Sequence, residues 1–491
     1  MSLEAVAAAF RESLVGGGDI TIFRIDGMDR TGIPVVQANL ISAGNPATTG
    51  YGYGFSAIQA EVGALGELCE EVHIERLLRG VPPIIGSYAA LSAQRRVIDP
   101  LTLCLPAGSH YTPDLVMPWM EVRRWSDGAT TLLPVEWVAA YPYQMVHGPA
   151  QLIMPITSGL GAGLDLEHAI GHGIMEALQR DGNVTGFRAL DQGAVVEPDG
   201  EIEAPVRALL DHLRDLGIEV TVKLASTDFG ITNLYVVGRD GGTPAVPIQV
   251  TACGEAAHPD RSRALRKALL EFCGSRARKA ATHGPIDWLC ERLPANYTGP
   301  QLALLDIEEE EPRALAAMAD WLGDDAAVLH ARLAGSVFSE RSRQPLTGLP
   351  DAPAAAVASS AALLDLLVGR LAAEGLEVFF VDCSPPGGAV RVVKVVVPGL
   401  EVETMSYHRI GWRGVARLRG RNDPLLLDAP RKDAKRVLLR PEDEARAGGP
   451  AWFNAALAEQ LVGDLYPLYR ESGTFSAQRE RARRRGQLVP A

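Results

Sequence analysis

The stretch Thr157-Ser158-Gly159-Leu160-Gly161-Ala162-Gly163, followed by Asp165 and then by Glu176-Ala177-Leu178-Gln179-Arg180-Asp181, decides the reading of this chain. The three glycines form a turn just before a segment in which Leu166, Ile170, Gly173, Ile174 and Ala177 recur at helical spacing, with Asp165 placed to cap it. The first amides of such a helix can hold an anion. Neither standard phosphate motif applies, however. Leu164 stands where a dinucleotide fingerprint needs its last glycine, and no Gly-Lys-Ser/Thr follows for a Walker loop. On this helix Glu176, Gln179 and Arg180 share the side away from Ile170, Ile174 and Ala177, so that Arg180 suits a phosphate and Glu176 a metal. His168 and His172 are four residues apart, a spacing that suits zinc, but a third ligand is missing.

Two more segments repeat the theme. Ile58, Val62, Leu65, Cys69 and Val72 mark the apolar side of an earlier helix. Glu67 lies about 200° round from Leu65 at about 100° per residue, and Glu70 and Glu71 lie one turn further along. Gly63 and Gly66 border them and leave room for approach to the backbone. A later helix, over roughly 262–280, puts Lys267, Glu271, Gly274 and Ser275 on one face. Arg276 is about 140° round from Glu271, so it reaches that face only from its edge or serves structure instead. Taken singly, each helix also reads as a solvated polar face or a surface ion pair. Three carboxylate-bearing helices beside a glycine-rich turn are what a nucleotide with bound magnesium requires.

The rest of the chain alternates strands with helices, which implies an α/β or α+β core. Residues 19–41 read as strand, turn, strand, and 51–54 as a Gly/Tyr turn. Strand-like runs occur at 101–105, 130–138, 219–224, 233–237, 246–250, 377–381 and 390–397, and a helix at 361–374. After about residue 425 the chain turns charged and reads as a helical extension, 426–491, ending in the Arg-rich tract from Arg479 to Arg485. That tract reads as a solvated end, and the acidic run 308–311 before Pro312 as a helix entrance.

A formal charge of −13 on 491 residues opposes a general nucleic-acid binder, which needs clustered Lys and Arg, and disfavours docking on anionic membrane. The apolar content of 47% is that of a globular chain. Six scattered cysteines without a CxxC pair offer neither a zinc site nor a disulfide framework, which favours a reduced cytoplasmic setting. The first ten residues lack the basic start of a secretory signal, and Asp365 interrupts the best candidate for a membrane span.

In this order, the segments resemble the YcaO family of ATP-dependent peptide-modifying enzymes. Ala64-Leu65-Gly66-Glu67-Leu68-Cys69-Glu70-Glu71 is similar to the family's first ATP helix, of Ser-Ala-Leu-x-Glu-x-x-Glu-Arg type. The stretch from Thr157 to Asp181 resembles its second signature, an Asn-Gly-x-Ala-x-Gly turn leading to Glu-x-x-Glu-Arg-Asp. Ala257-His258-Pro259-Asp260 through Glu271 and Arg276 resembles its third, usually closed as Glu-x-x-Gln-x-Arg, and Val395-Val396-Val397-Pro398-Gly399-Leu400 its late strand and turn. The resemblance implies an α+β, YcaO-like catalytic domain over 1–425, mixed sheets with packed helices converging on an ATP site. It implies ATP and Mg2+ as cofactors, with Glu67, Glu70, Glu176 and Glu271 holding magnesium and nucleotide, Arg180 and Arg276 meeting phosphates, and Ser158 and Gln179 beside the nucleotide.

The activity it implies is phosphorylation of a peptide backbone amide oxygen, which turns a very poor leaving group into a good one. Attack by a Cys, Ser or Thr side chain then gives an azoline, by sulfide a thioamide, and by an amine an amidine, in the biosynthesis of modified peptides. A precursor peptide is the implied substrate, delivered by a ThiF-like or TfuA-like leader-binding partner, since no leader-recognition module precedes residue 20. A homodimer is also implied. Departures from the pattern are Gly63 for Ser, Glu71 for Arg, Gln179 for Glu and Gly274 for Gln. They motivate the rival expectation of a degenerate paralogue acting as a non-catalytic scaffold subunit. The end Leu488-Val489-Pro490-Ala491 lacks the alternating prolines of many azoline-forming members, which shifts weight toward a thioamide-type or divergent member. An unrelated α/β enzyme that activates a small carboxylate or amide with ATP is a third reading.

Overall fold

A computed structural model describes residues 1–42, 48–186, 191–304, 312–402, 408–469 and 471. Its helices of interest are α1 (Leu3–Leu14), α2 (Ala57–Gly80), α3 (Leu166–Gly186), α4 (Arg261–His283), α5 (Ser360–Ala373) and α6 (Trp412–Gly420). The strands are β1 (Asp19–Arg24), β2 (Val35–Ile41), β3 (Thr48–Tyr53), β4 (Ile84–Ser87), β5 (Val116–Arg124), β6 (Thr130–Pro134), β7 (Leu160–Gly163), β8 (Ala194–Glu197), β9 (Ile218–Ser226), β10 (Thr232–Asp240), β11 (Cys253–His258), β12 (Ser342–Pro345), β13 (Phe379–Asp382), β14 (Arg391–Val396), β15 (Leu426–Leu427), β16 (Ala434–Arg436) and β17 (Trp452–Asn454).

Three sheets matter for the site, ordered β1-β2-β3, β4-β5-β13-β14-β7 with β6 on β5, and β11-β10-β9-β8-β12. All their pairings are antiparallel except β8 with β12. Helices and strands are thus mixed around antiparallel sheets, the expected α+β class. In each sheet one edge strand, β3, β7 or β11, runs directly into a long helix, α2, α3 or α4, which folds back on it. Each helix also touches the edge strand of the next unit: α2 meets β7, α3 meets β11 and α4 meets β3. The three strand–helix units therefore close in a ring, and sheet edges that would otherwise stand open meet at its centre.

Local chemistry explains why these helices start where they do. Ser56 and Gln59 form a capping box for α2, with reciprocal bonds of 3.4 and 3.2 Å. Asp260 caps α4 by accepting from the amides of Ser262 and Arg263 at 2.9 and 3.1 Å. Asp165 accepts from the His168 amide at 2.6 Å at the entrance to α3. Apolar residues of α2 pack on Ala7, Phe10 and Leu14 of α1, while Ala169, Ile170, Ile174 and Ala177 of α3 share a core with Leu364, Leu367 and Leu371 of α5.

Five expected stretches fold differently. The glycine-rich 157–163 stretch is mostly strand, β7, and Tyr51 to Tyr53 lie in β3 rather than in a turn. Glycines that read as turn residues serve here to bring strand backbone against helix backbone. The runs at 101–105 and 246–250 are occupied by short 3-10 turns, Pro100–Thr102 and Pro247–Thr251, whose prolines lack the N–H that a ladder needs. The chain after 425 is not purely helical: β15, β16 and β17 form a small sheet, and its core includes Ala107, Ala314, Ile410, Val415 and Leu418. The acidic run at 308–311 and the Arg479–Arg485 tract lie outside the described residues. No described helix is long and apolar enough to cross a membrane.

Candidate functional site

The three units share a spacing that sets their carboxylates. Gly50, Gly159 and Gly254 each precede a glutamate by 17 residues (50 to 67, 159 to 176, 254 to 271). Each glycine packs against the helix residue three before that glutamate: Gly50 against Ala64, Gly159 against Gly173, Gly254 against Ala268. A Cβ on Gly50 or Gly254 would collide with the carbonyl oxygen of its helix partner, and one on Gly173 would meet the Gly159 carbonyl oxygen at 2.6 Å. Small residues at both positions are therefore the condition for the close approach. The strand backbone then meets the carboxylate directly. The Tyr51 amide donates to Glu67 Oε2 at 2.6 Å, and the Gly159 amide to Glu176 Oε2 at 3.1 Å.

The glutamates so placed feel one another. Burial pushes the Glu67 carboxyl up to about 7, and the charges of Glu176 and Glu271 add to the rise. Glu70, flanked by Glu176 and Glu67, is held well above the ordinary carboxylate range, again chiefly by burial. Glu67 thus lies within electrostatic reach of Glu70, Glu176 and Glu271. Beside them opens a cleft of about 350 Å³ whose walls include Ser158, Arg180, Glu255, Glu271, Ser275, Arg278 and Lys279. Arg180 bridges Glu176 at 3.6 Å and Glu255 at 3.3 Å. Ser158 Oγ donates to the Val402 carbonyl at 3.2 Å. At the far wall Glu471 accepts from Lys279 at 2.6 Å and pairs with His283 at 2.8 Å, contacts that hold its carboxyl well below the usual range.

Two residues are placed differently from what the sequence pattern implied. Arg276 does not face the cleft. It is fully buried on the other side of α4, where it donates to Asp29 at 2.8 and 2.9 Å and to Asp240 at 2.9 Å. Its angular offset from Glu271 is the reason, and Arg278, two residues on, takes the cleft side instead. Gln179 is buried, its main-chain carbonyl accepting from Asn233 Nδ2 at 2.9 Å, and it does not line the cleft. Glu71, a departure that would put a negative charge near phosphates, accepts a 2.5 Å bond from the Tyr141 hydroxyl, and burial lifts its carboxyl to about 8.

The sequence reading missed Tyr53, whose hydroxyl donates to Glu271 Oε2 at 2.6 Å. It also missed Glu255 and Lys394. Lys394 is buried beneath the carboxylates and donates to the Ile156 carbonyl at 2.5 Å. Burial lowers its ammonium to about 8 against the opposing pull of Glu176 and Glu70. Lys394 sits in the run 390–397, where it and Arg391 interrupt an otherwise apolar strand, the one signal the sequence carries.

The donor set fits a nucleotide that arrives with its cation. Half-buried carboxylates lie within electrostatic reach of one another, Glu67 and Glu70 with raised proton affinity, and an open cleft whose walls include Arg180, Arg278 and Lys279 adjoins them. Among the described residues no three His, Cys, Asp or Glu side chains form a ready-made metal cage. Mg2+ usually keeps waters and phosphate oxygens and takes one or two carboxylates, so a cage is not required.

A cleft of this kind belongs to proteins that handle a polyphosphate together with a divalent cation. The chain belongs to the YcaO family, whose model, described as YcaO cyclodehydratase, ATP- and Mg2+-binding, matches residues 51–401. An uncharacterized protein of Methanothermobacter thermautotrophicus is 28% identical over 409 residues, covering 82% of this chain and 95% of the relative. The structure is similar to that of a YcaO protein from Methanopyrus kandleri bound with AMPPCP and Mg2+, with TM-score 0.57, 21% identity, and coverage of 84% of this chain and 94% of that one. It is also similar to a heterocyclase in complex with substrate and cofactor, with TM-score 0.61, 18% identity, and coverage of 88% of this chain but 56% of that one. At these identities the two structural likenesses show a shared fold.

Proposed function

We propose that this protein uses ATP and Mg2+ to activate a backbone amide of a precursor peptide, in azoline or thioamide formation during modified-peptide biosynthesis. The observation that carries the reading is the approach of Glu67, Glu176 and Glu271 from three equivalent strand–helix units beside a cleft whose walls also carry Arg180, Arg278 and Lys279. Glu67, Glu70, Glu176 and Glu271 hold the metal and nucleotide, while Arg180 and Arg278 neutralise phosphate charge. Bound ATP supplies a phosphoryl group that converts the amide oxygen into a leaving group. What the protein contributes is position and charge compensation, the main requirements of phosphoryl transfer. The Gly159 and Tyr51 amides fix two carboxylates in place before any ligand arrives. The product depends on the nucleophile, a substrate side chain or a small molecule, and a ThiF-like or TfuA-like partner delivers the peptide. Calorimetry with ATP and Mg2+ tests the site. Heats unchanged in both Glu67→Ala and Glu176→Ala would remove it.

A second reading, a binding subunit without turnover, draws on Gln179, which stands buried away from the cleft where the family pattern has an acidic residue. ADP released in the presence of a substrate peptide and its partner would exclude that reading.

A further inference from the structure

Tyr53 and Gly274 come from different units of the ring, yet they fit together over Glu271. Tyr53 projects from β3, between Gly52 and Gly54, and its hydroxyl reaches Glu271 Oε2 on α4 at 2.6 Å. Its ring crosses the space into which residue 274 would project. A Cβ built on Gly274 would lie 2.9 Å from Tyr53 Cδ1 and 3.2 Å from Tyr53 Cβ. Gly274 is buried within α4, a place where glycine weakens a helix relative to alanine, so helix propensity does not account for it. We propose that Tyr53 is the positioning residue for Glu271, holding one carboxylate oxygen from across the ring and leaving the other for the ligand, and that Gly274 admits its aromatic ring. The phenol is a single directed donor, and it ties the first unit to the third at the point where the carboxylates meet.

The inference rests on the reading of the cleft as a site for ATP with Mg2+, and the experiment separates the two. AMPPCP binding is measured by calorimetry with and without Mg2+, alongside thermal unfolding, on the full chain. Tyr53→Phe keeps the ring and loses only the hydroxyl. It is expected to unfold near the wild-type temperature and to bind AMPPCP with Mg2+ about tenfold more weakly, the order expected when a hydrogen bond to a charged group is lost. Gly274→Ala is expected to weaken binding in the wild type by displacing the ring, and to have no further effect in a Tyr53→Ala background. Binding by Tyr53→Phe within twofold of wild type, or an equal loss from Gly274→Ala in both backgrounds, would overturn the inference. If the wild type binds and Glu67→Gln weakens binding while Tyr53→Phe does not, only the Tyr53 role falls. Failure of the wild type to bind AMPPCP with Mg2+ would remove both.

Discussion

Replacing Glu67 by glutamine separates the stability of the folded chain from its capacity to hold a ligand. The Glu67 carboxyl is raised from 4.5 to about 7, first by burial and then by Glu176 and Glu271. A raised carboxyl binds its proton more tightly in the folded than in the unfolded state. Wild-type stability therefore falls as pH rises from about 4.5 through 7 and is level above that. At about 1.4 kcal/mol per pH unit the full cost is about 3 kcal/mol, and on the order of 2 kcal/mol after allowing for partial exposure. In Glu67→Gln the side-chain amide oxygen would still accept from the Tyr51 N–H while carrying no charge. Denaturant unfolding should find Glu67→Gln more stable than wild type at pH 8 by roughly 2 kcal/mol, with the advantage gone near pH 4.5. Calorimetry at pH 8 should find binding of AMPPCP with Mg2+ weakened at least about tenfold, as expected when a charged ligand is removed. Equal stability of the two proteins at pH 8, or unchanged binding, would refute the picture of a carboxylate kept charged at a cost for its cation.

Further outcomes follow from the same structure. Asp181→Asn should destabilise the chain by about 3 kcal/mol in urea, because Asp181 accepts from Arg413 at 2.8 Å and Arg417 at 3.1 Å in a buried network that also receives the Glu401 amide; a loss under about 1 kcal/mol would mean the network is not sealed from water. Glu71→Gln should leave nucleotide affinity within about twofold, since a carboxyl raised to about 8 and bonded to Tyr141 is already mostly neutral at pH 7; a larger loss would place Glu71 among the ligands. Burial lowers His73 to about 4, so its contribution is complete above its ordinary 6.5 and is lost as pH falls through 6.5 toward 4. Urea unfolding at pH 7 and 4.5 should therefore show His73→Asn losing less stability than wild type over that interval, and parallel losses would contradict the assignment.

Much of the site is legible in the sequence because helical periodicity shows which side of α2, α3 and α4 carries acid. The equal spacing from glycine to glutamate is in the sequence as well, but glycine is ambiguous there. The same residue that permits a turn also permits a strand to press onto a helix, and β3 and β7 read as turns for that reason. Register explains the arginines. Arg276 lies off the Glu271 side of α4 and meets Asp29 and Asp240, residues brought to it only by the tertiary fold. Glu471 and Tyr53 reach the site from 200 and 218 residues away from Glu271 (271 to 471, 53 to 271), and no local pattern points to such partners. Lys394 is hidden by its apolar neighbours, since a buried cation reads as strand until its carboxylate surroundings are known.

A crystal structure of the chain grown with AMPPCP and Mg2+ would show whether the glutamates hold the nucleotide. The nucleotide should lie in the cleft beside Glu271, with Arg180 and Arg278 near its phosphates and the metal held by at least one of Glu67, Glu70, Glu176 and Glu271. Density for the nucleotide in the other large cleft, bounded by Arg95, Arg96, Arg440 and Arg446, with the glutamates still facing only protein, would contradict it.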